Sequence, residues 1–171
     1  MSSYKVEGRS RQDLRDYAYK LREITGYENK LYFPVVEFLE IMPKIFQNFN
    51  YVIEEDSKFE QGIHAYTDIS NHCIVIRESV YDGACSDNGR DRMTIAHEIG
   101  HYLTIVISGF KLARNFENRQ LKAYEDPEWQ AKCFAGELLI PNHLVGELTS
   151  YEVAGKCCVS YKAARLQLKK A

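Results

Sequence analysis

The sequence predicts an α+β fold, in which N-terminal helices, a small antiparallel sheet and C-terminal helices follow one another along the chain. Two observations predict it. Apolar residues recur at helical spacing towards both ends, and the spacing changes to strand-like alternation between about residues 62 and 77. The chain of 171 residues is long enough to bury a sizeable core within one domain.

The first two expected elements are amphipathic helices. Over residues 9–25, apolar residues recur every three or four positions, and Gly26 is a typical helix terminator. A second pattern of this kind covers residues 34–49, where Pro43 is expected to kink or split the helix.

The middle of the chain carries the strand signal. Residues 62–69 alternate between apolar and polar, residues 72–77 form a short β-branched run, and Ser70 and Asn71 between them are turn formers. This pattern predicts a β-hairpin, which we expect to form a sheet edge that can hold an extended peptide. A loop rich in Gly, Asp and Asn is expected at residues 82–89, before the next helix.

The helix after that loop contains the pattern H-E-x-x-H, formed by His97, Glu98 and His101. Positions four apart lie one above the other on a helix, so both imidazoles can bind a single ion, and Zn²⁺ favours nitrogen ligands. Glu98 is rotated by roughly 100° and can act as a general base on water without being a ligand. The alternative is a buried helix whose histidines bond to the backbone. The pattern favours a catalytic zinc site.

A catalytic zinc site needs a third protein ligand. Asp126 and Pro127 predict the start of a further helix, and Pro141 predicts its end. Glu128 lies in the first turn of that helix, on a face with two alanines that would allow close approach to the H-E-x-x-H helix. It is the favoured candidate. The other candidates are Glu125, Asp126, Glu137 and His143.

Two of these assignments have simple structural alternatives. An acidic residue such as Glu128 is favoured in a first helical turn by the helix dipole alone. Glu137 lies roughly 180° around the helix from Glu128 and is therefore expected to face solvent.

In these helices the chain resembles the ImmA/IrrE family of metallopeptidases. Residues 92–101, R-M-T-I-A-H-E-I-G-H, are close to the family pattern R-F-T-x-A-H-E-x-G-H, with Met93 where Phe is usual. Residues 128–141 resemble the pattern E-x-x-A-N-x-F-A-x-x-L-L-M-P, with Cys133, beside Lys132, as a departure. Residues 159–166 are similar to the closing V-S-x-x-A-x-x-R-L. The resemblance covers about residues 88–168.

The resemblance implies a zincin-like fold and a zinc-dependent endopeptidase. It implies that His97, His101 and Glu128 bind Zn²⁺ and that Glu98 is the catalytic carboxylate. Many members cleave a helix-turn-helix repressor and so derepress mobile elements or stress genes, which makes such a repressor the expected substrate. The alternative is a regulatory protein of the same fold that binds a repressor or DNA without hydrolysis.

The expected domain plan is one metallopeptidase domain over residues 1–171. Within it, residues at about 50–145 form the catalytic core and residues 150–171 form a C-terminal helical tail. The tail is basic and could be the second helix of a DNA-reading pair, but a helix that docks on the domain is favoured.

Composition limits the partners. The net charge of −2 and the pI of about 6.2 give no overall electrostatic case for nucleic-acid binding. No secretory signal is recognised, and the longest apolar run, near residues 102–107, is too short to cross a bilayer. We therefore expect a cytoplasmic protein without a membrane partner. The five cysteines are expected to be reduced, with a redox switch at Cys157 and Cys158 as the alternative.

The sequence does not identify the residue that would stabilise the oxyanion. His64 and His72 lie on or beside the predicted hairpin, and either could do so, but a partly exposed strand histidine is favoured for each. Tyr102 follows a predicted ligand but is rotated about 100° from it, so a core position is expected.

Overall fold

A computed structural model describes residues 4–107, 113–114 and 121–170. The helices are α1 (Arg11–Thr25), α2 (Val35–Ile45), α3 (Glu78–Cys85), α4 (Gly89–Ile107), α5 (Pro127–Leu139), α6 (Ser150–Cys157) and α7 (Tyr161–Leu168). The strands are β1 (Tyr4–Lys5), β2 (Asn50–Glu54), β3 (Ala65–Asp68), β4 (Cys73–Arg77) and β5 (Ala113–Arg114). This order of elements confirms the α+β prediction.

The N-terminal helices form as expected, with small shifts at their ends. Ser10 caps α1 in a capping box, and Gly26 ends it with a left-handed φ of 76°. α2 ends at Ile45, two residues after Pro43, so the proline lies in the last turn and the helix is shorter than predicted. Both helices contribute buried apolar side chains to the core.

The central sheet has the strand order β2-β4-β3. β3 and β4 pair in the antiparallel sense, with Thr67 opposite Ile74, and form the predicted hairpin. β2 pairs with the other side of β4 in the parallel sense, so the sheet is mixed and the expectation of an antiparallel sheet is wrong for β2. Within the described residues, β3 is an outer strand.

The loop expected at residues 82–89 is mostly helix. α3 extends to Cys85, and α4 begins at Gly89, which leaves only three residues between them. Val80 and Ala84 of α3 are buried in the core. Tertiary packing on this apolar side outweighs the local preference of Gly83 and Asp82 for a turn, which explains why the sequence prediction was wrong here.

α4 and α5 approach each other most closely at Gly100. A Cβ added to Gly100 would lie 3.0 Å from the backbone oxygen of Ala131 and 3.2 Å from its Cα. Ala131 is fully buried. The predicted close approach through a small residue of α5 is therefore confirmed at Ala131, and Gly100 provides the matching space on α4.

The other side of α5 is covered as well, which corrects the expectation for Glu137. Its side chain is 1% exposed and accepts hydrogen bonds from Arg11 Nη1 at 3.1 Å and from Arg15 Nε at 3.0 Å. Both arginines belong to α1, which packs along this side of α5. Because α1 covers the side of α5 that lies opposite Glu128, the position of Glu137 on that side did not indicate exposure.

None of the helices formed by the described residues has both the length and the apolar character needed to span a bilayer.

The contact between α4 and α5 predicts a cost for adding one methyl group. Gly100→Ala should lower the free energy of unfolding by about 1–3 kcal/mol, because the new Cβ presses against the backbone of Ala131. Gly155→Ala is the matched control. Its Cβ meets nothing within 4 Å, so the change should stabilise α6 by about 0.5–1 kcal/mol. Urea denaturation of both variants checks this, and a Gly100→Ala protein at least as stable as the unmodified one contradicts it.

Candidate metal centre

Three side chains from two helices converge on one point. His97 and His101 lie one turn apart on α4, and their Nε2 atoms are 3.0 Å apart. Glu128, in the first turn of α5, places Oε2 at 3.3 Å from His97 Nε2 and Oε1 at 3.0 Å from His101 Nε2. Within the part of the chain that the structure describes, these residues form the group of possible ligands able to hold a metal ion.

The spacing of these atoms fits a single divalent ion. Bonds of about 2.0–2.1 Å at tetrahedral angles would separate neighbouring ligand atoms by roughly 3.3 Å. The observed separations of 3.0 to 3.3 Å are close to this value. Two imidazole nitrogens and one carboxylate also form a common ligand set of catalytic metal sites.

Local sequence explains how Glu128 reaches this position. Asp126 accepts a hydrogen bond from the backbone N–H of Glu128 and caps α5, and Pro127 occupies the first helical position, as predicted. Ala131, three residues further along α5, makes the close contact with Gly100 on α4. The helix start and the close contact together place the carboxylate opposite the two imidazoles.

Glu98 lies beside this group without belonging to it. Its side chain is largely buried, and Thr67 Oγ1 donates a hydrogen bond to Glu98 Oε2 at 2.7 Å. Thr67 belongs to the edge strand β3, so this bond joins the sheet to the metal-centre helix. The sequence pattern placed Thr67 on the hairpin but contained no signal that paired it with Glu98.

A cleft of about 270 Å³ runs between β3 and the two helices. It is lined by Ala65, Tyr66, Thr67, Ile69, Glu98, His101, Ile105 and Glu128. The cleft therefore brings together an outer strand, two of the possible metal ligands and the carboxylate of Glu98.

A family model described as the IrrE N-terminal-like domain, peptidase family M78, matches residues 51–168. The match covers more than half of the chain. It includes the three possible ligands and the neighbouring residue Glu98. The chain belongs to this family. A comparison with curated proteins gave no match.

Membership in the IrrE-like family makes this a protein of the metallopeptidase type. The candidate ligand group of two histidines and one glutamate is consistent with a metal-dependent member of such a family. The predicted resemblance is thus confirmed, and the matched region contains all of β3, α4 and α5.

The protonation states in this IrrE-like centre suit metal binding. Burial, together with the neighbouring His101, lowers the pKa of His97 to about 4, so its imidazole is neutral at pH 7. A hydrogen bond from His101 lowers the pKa of Glu128 to about 2, so its carboxylate is ionised. Neutral imidazole and ionised carboxylate are the forms that bind metals.

The pKa of Glu98 moves in the opposite direction. Burial raises it above the usual value, and the hydrogen bond from Thr67 opposes that shift. The two glutamates of the site therefore have different proton affinities because their surroundings differ. Glu128 suits a permanently charged role, and Glu98 suits the acceptance of a proton.

The remaining candidates from the sequence lie elsewhere. Asp126 is the cap of α5, Glu137 pairs with α1, and His143 Nε2 lies 2.6 Å from the backbone oxygen of Glu28. Glu125 does not belong to the ligand group.

The histidines near the hairpin do not line the cleft. His64 Nε2 lies 3.1 Å from Arg90 Nη2, and His72 Nδ1 lies 3.3 Å from the hydroxyl of Tyr102. Tyr102 is 2% exposed and packs on Phe49, which confirms its core position.

The geometry predicts that Glu128 is required for metal binding. Glu128→Ala removes one of the three ligands. Mutation of a residue that only hydrogen-bonds to a ligand typically lowers metal affinity by roughly 10–100-fold, so loss of a ligand itself should lower the affinity for Zn²⁺ by more than that. Glu125→Gln is the matched control, since it removes a carboxylate three residues away and should leave affinity unchanged. Chelator competition measures both, with circular dichroism as the check of folding. A Glu128→Ala protein with unchanged affinity contradicts the assignment.

Proposed function

We propose that the protein is a zinc-dependent endopeptidase, with His97, His101 and Glu128 as the zinc ligands and Glu98 as the general base. The observation that carries the proposal is the cleft beside the outer strand β3, which Glu98 and two of the three possible ligands, His101 and Glu128, line together. When bound, Zn²⁺ would polarise the scissile carbonyl and acidify the attacking water.

Glu98 performs the proton transfers in this proposal. It takes a proton from the attacking water and delivers it to the leaving amine, as general acid–base catalysis requires. Its raised pKa supports this role, because a base whose pKa lies closer to neutrality can both accept and release a proton. Thr67 holds Oε2 of the carboxylate, so Oε1 carries the proton.

The outer strand β3 is the proposed binding edge for the substrate. The backbone N–H of Arg77 donates to the oxygen of His64 at 3.1 Å, so residues 64, 66 and 68 turn their backbone groups towards β4. Because successive residues alternate, the backbone groups of Ala65 and Thr67 point away from β4. An extended peptide can pair with these groups as an added antiparallel strand, which supports a protein segment as the substrate.

A helix-turn-helix repressor is the proposed natural substrate. Its support is the membership of the chain in the IrrE-like family, because the resemblance to that family implies such a repressor as the substrate. The single-domain plan and the cytoplasmic location stay predictions.

The role of Glu98 separates hydrolysis from binding alone. Glu98→Gln should lower peptide cleavage by on the order of 10²–10⁴-fold, because the amide cannot accept the proton, while zinc content stays unchanged. A zinc-loaded protein and a library of fluorogenic peptides provide the measurement. Equal cleavage by the variant would show that Glu98 is not the base. Loss of cleavage together with unchanged repressor release in cells would favour the non-hydrolytic regulator.

Thr67 should act by positioning Glu98. Thr67→Val keeps the shape of the side chain but removes the donor, so kcat should fall about tenfold, as expected for one hydrogen bond to a charged group. Thr67→Ser restores the hydroxyl and should recover most of the rate. KM and zinc content should stay constant in both variants. Identical kinetics for the valine and serine variants would show that the bond has no role in catalysis.

A further inference from the structure

A second cavity lies along the first half of α4. Its volume is about 320 Å³, and its lining consists of Arg90, Met93, Thr94, His97, Lys132 and Ser160. The 270 Å³ cleft follows the second half of the same helix, where His101 and Ile105 line it. The two possible histidine ligands therefore stand between the cavity and the cleft.

The charged side chains in the cavity lining are cationic. Arg90 and Lys132 are both exposed, and no carboxylate is among the lining residues. Arg90 Nη2 lies 3.1 Å from His64 Nε2, an aromatic nitrogen that can accept its hydrogen bond.

Two carboxylates lie near enough to interact with these cations. Asp91 is attracted to Arg90, and Glu128 is attracted to Lys132. Glu128 is a proposed zinc ligand, so its charge would be shared with the metal. Lys132 would then keep a positive charge facing the cavity, although the chain as a whole carries −2.

The direction of β3 indicates which part of a substrate reaches this cavity. His64, just before β3, contacts Arg90, and Thr67 contacts Glu98, so β3 and α4 run in the same direction. A peptide added antiparallel to β3 would start near Ile69 and continue towards His64. Its residues on the C-terminal side of the scissile bond would therefore lie at the cavity.

We propose that this cavity is a specificity subsite for an acidic side chain, Asp or Glu, on the C-terminal side of the scissile bond. The inference rests on the proposed function. Met93 and Thr94 would contact the methylene carbons of that side chain, while Arg90 and Lys132 would pair with its carboxylate. Met93 stands where the family pattern has Phe, so the apolar part of the lining is flexible here.

Peptide binding to the zinc-loaded Glu98→Gln protein tests the subsite without requiring cleavage. Labelled peptides that carry Glu, Gln or Lys at each successive position are compared by fluorescence anisotropy. At one position on the C-terminal side, the Glu peptide should bind roughly three- to tenfold more tightly than the Gln peptide. The Lys peptide should bind more weakly than both.

Charge reversal in the same background provides the decisive comparison. Lys132→Glu leaves one cation and one anion in the lining and should abolish the preference for the Glu peptide over the Lys peptide, whereas Arg90→Gln leaves one cation and should only reduce it. Lys44→Glu is the matched control, because it changes the net charge equally at an exposed site outside the lining. It should keep the original order. Zinc content and circular dichroism establish that each variant is folded.

The outcomes distinguish this inference from the proposed function. Equal binding of the three peptides at every position, or a Lys132→Glu protein that keeps the full preference for the Glu peptide, overturns the subsite. An acidic preference that Lys132→Glu abolishes supports the subsite even if the zinc-loaded unmodified protein cleaves no peptide. The absence of cleavage by that protein would count against the proposed endopeptidase.

Discussion

The close contact between α4 and α5 is the constraint on which the rest of the site depends. Gly100 has no side chain, so the backbone of α5 at Ala131 reaches van der Waals distance from α4. His101 follows Gly100, and Glu128 precedes Ala131 by about one turn. The carboxylate of Glu128 can therefore lie within 3.0–3.3 Å of the two imidazole nitrogens only while the two helices stay this close. A larger residue at this contact would separate the two halves of the ligand group.

The N-terminal part of the chain secures α5 from the other side. Residues before 51 lie outside the family match, yet Arg11 and Arg15 of α1 pair with the buried carboxylate of Glu137. Arg9 reaches further and donates a hydrogen bond to the backbone oxygen of Thr104 on α4 at 3.2 Å. A buried ion pair can favour one relative position of two helices even where its net contribution to the free energy of unfolding is small. α5 is thus fixed between α1 and α4.

The sheet edge contributes the third part of the arrangement. Thr67 joins β3 to Glu98, so the strand proposed to bind the substrate also holds the proposed base. On the same side of α4, Arg90 contacts His64 at the beginning of the strand. The two contacts hold β3 parallel to α4. The 270 Å³ cleft and the cavity lined by Arg90 and Lys132 therefore follow one another along α4. The proposed substrate binding, proton transfer and selectivity therefore all depend on the short segment of residues 64–67.

The features that depend on local geometry could be predicted from the amino-acid sequence. His97 and His101 lie on one face of α4 because of the helical repeat, and α5 starts where Asp126 caps it. Both features could be predicted from a few adjacent residues. The hairpin was also predictable because turn formers separate two strand patterns. Four features depend on tertiary packing: β2 joins the sheet, α3 is helical, Glu137 is buried, and Thr67 donates a hydrogen bond to Glu98. Each of these depends on a partner far away in the chain, and local periodicity carries no information about which distant face will cover a given residue.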